Sequence, residues 1–147
     1  MEKERISALV GEMTLEEKVG QLTQFAGLFY STHADDTPVT GPVDFPVKKE
    51  AIEISGSVLG VAGAKKLIGI QSEHLKTSRL GIPLLFMADV INGFRTIFPI
   101  PLGLGATWEP KLVEDLQAVA AREAASAGLH VSFAPMADLV RDPRWVE

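Results

Sequence analysis

The chain has 147 residues, of which 46% are hydrophobic and 22% are charged, and its formal net charge is −5. This length and composition suit one globular domain with a buried core. The acidic balance, and the absence of a basic run interleaved with aromatic residues, argue against a nucleic-acid-binding protein. Cysteine is absent, which excludes disulfides, thiolate nucleophiles and cysteine-ligated zinc.

The beginning of the chain mixes charges and leads to no apolar stretch, so no secretory signal is recognised. A cytoplasmic location is therefore expected. The apolar runs are far shorter than the roughly 20 residues of a transmembrane helix, so no membrane association is expected.

Two short helices are the first predicted elements. Residues 2–10 have helical apolar spacing, and Thr14 opens a second helix in which Glu17 completes a capping box. The apolar residues of that helix are expected to form a buried stripe: Leu15, Val19 and Leu22. Residues 31–50 are predicted to form a loop or an insertion, because prolines, a glycine and polar residues follow one another there.

A βαβαβ pattern occupies the rest of the chain. The predicted strands cover residues 57–61, 84–88 and 130–134, and the predicted helices cover residues 64–79 and 111–127. Pro110 fits the first turn of the second of these helices, Gly128 fits its C′ position, and residues 92–107 are predicted to be a loop. Nearly continuous apolar strands are typical of a parallel sheet covered on both faces. The predicted fold class is α/β, with about three parallel strands and intervening helices.

A single carboxylate, Asp89, follows the second predicted strand. A carboxylate at the carboxyl end of a parallel strand points into the crevice where such folds bind ligands. The alternative is structural, with Asp89 capping its own turn. Arg95 lies close by in the sequence and could orient Asp89, which favours the functional interpretation.

A second polar cluster, residues 141–145, follows the last predicted strand and contains two guanidinium groups, a carboxylate, a proline and a tryptophan. A guanidinium group donates a planar fork of hydrogen bonds that suits a sugar or an anion. The alternative is an ion pair that only locks the loop. Both roles fit together if Arg141 contacts the ligand while Asp142 and Arg144 form the scaffold. Asp138 fits either a functional or a structural role.

No metal or nucleotide site is predicted. The histidines lack metal-ligand spacing and are interpreted as structural: His33, His74 and His130. Residues 103–105 read Gly-Leu-Gly, but they follow prolines rather than a strand, so they do not make a dinucleotide fingerprint. Residues 60–66 lack the Gly-Lys-Ser/Thr of a phosphate-binding loop.

Three motifs occur in order along the second half of the chain. Residues 89–99 read Asp-Val-Ile-Asn-Gly-Phe-Arg-Thr-Ile-Phe-Pro, residues 103–108 read Gly-Leu-Gly-Ala-Thr-Trp, and residues 134–145 run from Ala-Pro-Met-Ala-Asp to Arg-Asp-Pro-Arg-Trp. Together with the opening at residues 13–22, they resemble family 3 glycoside hydrolases, most closely the bacterial β-glucosidase branch. Asn92 stands where the family usually has histidine. The Asp-x-Glu-Gly-Gly motif of the N-acetylglucosaminidase branch is absent.

The resemblance implies that residues 1–147 are the N-terminal portion of a (β/α)8 barrel domain. In the family, the aspartate that matches Asp89 binds glucose hydroxyls in the −1 subsite, and the arginine that matches Arg141 contacts the same sugar. The nucleophile and the acid/base of the family lie downstream of the matching region. The chain by itself is therefore expected to contain no catalytic residue and to be inactive.

The resemblance thus implies part of a retaining, exo-acting β-glucosidase that removes terminal β-D-glucosyl residues. Its substrate site would include Asp89 and Arg141, with Arg95 as a further candidate. The expected partner is a small β-glucoside, and neither a cofactor nor a metal is expected. The alternatives are a β-xylosidase of the same family and a small non-catalytic α/β carbohydrate-binding or interaction module. The aglycone and the oligomeric state stay open.

Overall fold

The computed structural model describes residues 2–30, 47–136 and 141–142. The helices and strands follow one another as α1 (Glu2–Glu12), α2 (Leu15–Gln21), β1 (Gln24–Ala26), a 3₁₀ helix (Gly27–Phe29), α3 (Lys49–Glu53), β2 (Ser57–Leu59), α4 (Ala64–Thr77), β3 (Leu85–Ala88), α5 (Pro101–Gly105), α6 (Pro110–Ser126) and β4 (Val131–Ser132). The strands form a sheet with the order β1-β2-β3-β4, and β1 with β2 and β3 with β4 are parallel pairs. The predicted parallel α/β class is confirmed. The predicted number of strands is wrong, because β1 was not expected.

The chain divides into two compact units, Met1–Phe86 and Met87–Glu147. In the first unit, helix α2 begins as predicted. The Thr14 hydroxyl accepts a hydrogen bond from the Glu17 N–H at 3.2 Å, and the Glu17 carboxylate accepts one from the Thr14 N–H at 2.8 Å. This capping box satisfies two N–H groups that the first turn of a helix leaves without partners.

The predicted buried stripe of α2 is wrong. Leu15, Val19 and Leu22 are 72%, 57% and 90% exposed. The buried residue of the helix is Gly20, where a Cβ atom would lie under 3.0 Å from the carbonyl oxygen of Ile54. Helix α2 therefore packs through its backbone on the glycine side. The apolar spacing defines one face of the helix, but it does not show whether another described residue packs against that face.

The core of the first unit lies around β2 and the beginning of β3. Val58 is fully buried and Leu84 is 1% exposed. Gln71 on α4 binds both backbone polar groups of Leu84, accepting from its N–H at 2.9 Å and donating to its carbonyl at 3.3 Å. His74 is also buried, and its Nε2 lies 3.1 Å from the carbonyl oxygen of Ile82. Burial lowers the pKa of His74, which agrees with the structural role expected for it.

In the second unit, helix α6 confirms the signals read from the sequence. Pro110 occupies its first turn, and Gly128 has a φ of +93° just after its end. The N–H groups of Gly128 and Leu129 donate to the carbonyls of Ala125 and Ala124 at 3.0 and 3.1 Å, which is the Schellman arrangement.

Two predicted segments differ from the structure. Residues 92–107 were expected to be a loop, but Pro101–Gly105 form helix α5. Its first residue is a proline, which favours a helix start, whereas Gly103 lowers helix propensity and made the segment look irregular. Most of the predicted loop or insertion at 31–50 lies outside the described residues, and its last two residues belong to α3.

Candidate functional site

Asp89 is the first residue beyond the carboxyl end of β3. It is exposed, and its carboxylate makes no hydrogen bond or ion pair with any residue that the structure describes. The turn-capping role considered for Asp89 would require such a bond. The carboxylate is thus placed where a parallel α/β fold presents polar groups to ligands.

Strand β4 pairs with β3 and precedes the second candidate segment in the chain. Met87 pairs with Val131 and Ala88 with Ser132, and the N–H of Phe133 donates to the carbonyl of Ala88 at 3.0 Å. The two strands therefore end at the same level. That Asp89 and the cluster at 141–145 lie at one rim of the sheet stays a prediction.

Arg141 is exposed and lies beyond β4, next to the half-buried Asp142. The other candidates of this cluster lie outside the described residues: Asp138, Arg144 and Trp145. That Asp89 and Arg141 contact one sugar stays a prediction.

The segment after Asp89, residues 89–98, is here called the β3 loop. Its tip is a closed turn: the Phe98 N–H donates to the Asn92 carbonyl at 2.8 Å, and Gly93 pairs with Ile97 in an antiparallel bridge. Gly93 has a φ of +101°, and a Cβ atom there would lie under 3.0 Å from the Thr96 carbonyl oxygen. Only glycine combines this backbone angle with this close approach.

Helix α6 holds the β3 loop at two points. The Glu123 carboxylate accepts hydrogen bonds from the N–H groups of Arg95 and Thr96, each at 2.9 Å, and from the Thr96 hydroxyl at 2.7 Å. The Gln117 amide donates to the Ile91 carbonyl at 3.3 Å. Hydrogen bonds from Thr96, first from its N–H and then from its hydroxyl, lower the pKa of Glu123.

Arg95 was expected to orient Asp89. The structure shows a different contact for this residue: its backbone N–H binds Glu123, and its exposed side chain makes no hydrogen bond to Asp89. A contact of Arg95 with the substrate stays a prediction.

Sequence reasoning missed Glu123, although a signal for it exists. Glu123 lies three residues after Ala120 and four before Ala127, and these alanines are 1% and 7% exposed. A carboxylate at this spacing borders the buried face of the helix, and Glu123 is half-buried. Such a position indicates a dedicated partner, which here is the β3 loop.

Within residues 2–30, 47–136 and 141–142, no group of three or more histidine, aspartate or glutamate side chains could hold a metal ion. None of the helices in this part of the chain is both long and apolar enough to cross a membrane. The expected location stays a prediction.

Comparison with known proteins identifies the family. The profile of the glycosyl hydrolase family 3 N terminal domain matches residues 12–147. The chain belongs to glycosyl hydrolase family 3. It is 36% identical over 146 residues to a periplasmic β-glucosidase of Salmonella typhimurium, covering 95% of this chain and 17% of the relative. A putative β-xylosidase of Formosa agariphila is 34% identical over 156 residues, covering 97% of this chain and 20% of the relative.

Solved structures of the same family agree. The β-glucosidase from Listeria innocua in complex with isofagomine has a TM-score of 0.86 and 47% identity, over 99% of this chain and 19% of that one. This likeness, with the parallel strand pairs and helices of the chain itself, confirms the predicted fold class. The chain spans about a fifth of the length of the family 3 relatives it matches.

Proposed function

We propose that this chain is the N-terminal portion of the barrel domain of a retaining, exo-acting β-glucosidase and supplies part of its −1 sugar subsite. The observation that carries the proposal is Asp89, an exposed carboxylate without a described partner at the common end of two parallel strands. The family relatives named β-glucosidases support the substrate class. Structures of the Listeria β-glucosidase with glucose and with laminaribiose support a carbohydrate ligand.

In a retaining glycosidase, two carboxyl groups roughly 5–5.5 Å apart carry out a double displacement. Both are expected outside this chain, so its residues contribute binding rather than proton transfer. Asp89 would accept hydrogen bonds from sugar hydroxyls, and a charge-assisted bond of this kind is worth about 1.5–3 kcal/mol. Arg141 would donate to the same sugar. Contacts that strengthen in the transition state lower the barrier, and contacts that do not strengthen only tighten binding.

A β-xylosidase is the second candidate. Two relatives favour it: the putative β-xylosidase of Formosa agariphila, and a periplasmic β-glucosidase/β-xylosidase of Dickeya chrysanthemi at 27% identity. Xylose lacks the hydroxymethyl group of glucose, so the two activities differ in how the site treats that group. The ratio of kcat/KM for p-nitrophenyl β-glucoside and p-nitrophenyl β-xyloside decides between them.

The proposal is tested with Asp89→Asn in the full-length protein that carries this sequence. The substitution keeps the shape of the side chain but replaces a charged acceptor with a neutral one. We expect kcat/KM on the β-glucoside to fall by at least about tenfold, since each 1.36 kcal/mol of transition-state binding corresponds to about that factor. Asp115→Asn is the matched control, because Asp115 is exposed on α6 and pairs with Lys111. Unchanged kinetics of Asp89→Asn would contradict the proposal, as would a wild-type protein without glycosidase activity.

A further inference from the structure

The β3 loop begins with the proposed sugar ligand Asp89 and is held by a side chain from another element. We infer that Glu123 is a positioning residue of the sugar site: its carboxylate fixes the β3 loop and, through the loop, the direction of Asp89. This inference rests on the proposed function. It concerns a residue that need not touch the substrate.

The contact pattern shows why a carboxylate stands at this position. All three groups that face Glu123 are donors: the N–H groups of Arg95 and Thr96 and the hydroxyl of Thr96. One carboxylate oxygen accepts from both consecutive N–H groups, which fixes the orientation of the peptide between them. The other oxygen accepts from the hydroxyl. A carboxylate offers only acceptors, so it matches this set of donors completely.

A buried polar atom in the β3 loop is a second indication that the surrounding structure enforces the conformation of the loop. The side-chain oxygen of Asn92 is buried and has no hydrogen-bond partner among the residues described. A buried polar atom without a partner is unfavourable, and such features persist where the surrounding structure enforces a conformation. Within the described second unit, the tip of the β3 loop is restrained by the Gly93 turn and by the three bonds to Glu123. The Gln117 amide holds the beginning of the loop through the Ile91 carbonyl. Because Gly93 restrains the turn from within, Glu123 is the residue of α6 that ties the tip, at Arg95 and Thr96, to the helix.

A positioning role differs from a purely structural one in how its loss combines with the loss of Asp89. If Glu123 acts through Asp89, removing Glu123 from an enzyme that already carries Asp89→Asn should change little. If Glu123 only stabilises the fold, the two substitutions should have independent effects on activity. Glutamine provides a conservative replacement, because its oxygen can accept from both N–H groups while its NH2 group donates to the Thr96 hydroxyl.

The experiment measures kcat, KM and melting temperature of the full-length protein with p-nitrophenyl β-glucoside. Glu123→Ala should lower kcat/KM by at least about fivefold, and Glu123→Gln should restore most of that loss. Glu123→Ala combined with Asp89→Asn should be no more than about twofold worse than Asp89→Asn alone. Glu114→Ala is the matched control, since Glu114 lies on the same helix, is 73% exposed and pairs with Lys111.

The outcomes separate cleanly. A Glu123→Ala enzyme with a lower melting temperature but unchanged kcat/KM overturns the inference. Multiplicative losses of kcat/KM in the double variant overturn it as well. In both cases the proposed function stands. If Glu123→Ala does not fold, Thr96→Val serves instead, because it removes only the hydroxyl bond. It should then lower kcat/KM, with the loss disappearing in the Asp89→Asn background, and full activity of Thr96→Val would overturn the inference. A wild-type protein that hydrolyses no glycoside overturns both the inference and the proposed function.

Discussion

Gly93 is the position where a small change should disturb the β3 loop most. Its φ is +101°, and an added Cβ atom would meet the Thr96 carbonyl oxygen under 3.0 Å and the Phe98 ring at 3.2 Å. In Gly93→Ala the close contact is with backbone, so no side-chain rotation can relieve it. The turn has to shift, and the hydrogen bonds that Arg95 and Thr96 donate to Glu123 should weaken with it.

Two other glycines allow the cost of the backbone conformation to be separated from the cost of the backbone clash. Gly81 has a φ of +62° but nothing within 4 Å of its Cβ position, so Gly81→Ala should carry only the conformational cost, about 1–3 kcal/mol. Gly69 lies within α4 and also has open space around it, so Gly69→Ala should stabilise its helix by about 0.5–1 kcal/mol. Gly93→Ala combines the conformational cost with a backbone clash. Its local destabilisation should therefore exceed that of Gly81→Ala.

Hydrogen–deuterium exchange reports the local free energy of opening at each of these sites. Exchange should become faster in residues 93–98 of Gly93→Ala, and kcat/KM on a β-glucoside should fall in that variant alone. In Gly69→Ala the α4 amides should exchange more slowly or as before. Wild-type exchange rates in the β3 loop of Gly93→Ala would contradict this prediction, as would a greater local destabilisation in Gly81→Ala than in Gly93→Ala.

Two further predictions concern the first unit. Hydrogen bonds from Arg79 and then from Thr14 lower the pKa of Glu17 from 4.5 to about 2. Their contribution to stability is thus present above about pH 4.5 and is lost as the pH falls towards 2. Glu17→Gln should lower the melting temperature at pH 7 and lower it progressively less below pH 4.5, and a pH-independent difference would contradict this. Leu84→Ala should destabilise by about 2–5 kcal/mol, because Leu84 is 1% exposed. Leu22→Ala, where the side chain is 90% exposed, should lower the free energy of unfolding by less than about 0.5 kcal/mol, and equal losses for the two variants in urea unfolding would contradict this prediction.

Local signals were sufficient where a short sequence stretch determines the structure. The Thr14–Glu17 capping box, Pro110 at the start of α6 and Gly128 after its end each depend on residues a few positions apart. The alternation of apolar strands with helices predicted the parallel sheet for a similar reason, because it reflects the repeating βα unit.

Elements that depend on distant residues were missed or misread. Strand β1 has three residues and contains a glutamine, so its own sequence gives only a weak strand signal. It forms by pairing with β2, more than thirty positions later in the chain. The apolar stripe predicted for α2 shows the same limit, because apolar spacing defines one face of a helix but does not show which residues pack against that face. The position of Asp89 directly after β3 could be predicted from the apolar run that precedes it. The role of Glu123 became visible only when the structure brought α6 next to residues 95 and 96.

Asp89 and Arg141 are proposed to bind one sugar at the end of β3 and β4. A crystal structure of the full-length protein with bound glucose would show whether they do. We expect the Asp89 carboxylate and the Arg141 guanidinium both to lie within about 3.2 Å of hydroxyl groups of the same glucose ring. Glucose bound away from both side chains, or Asp89 and Arg141 on opposite faces of the sheet, would contradict it.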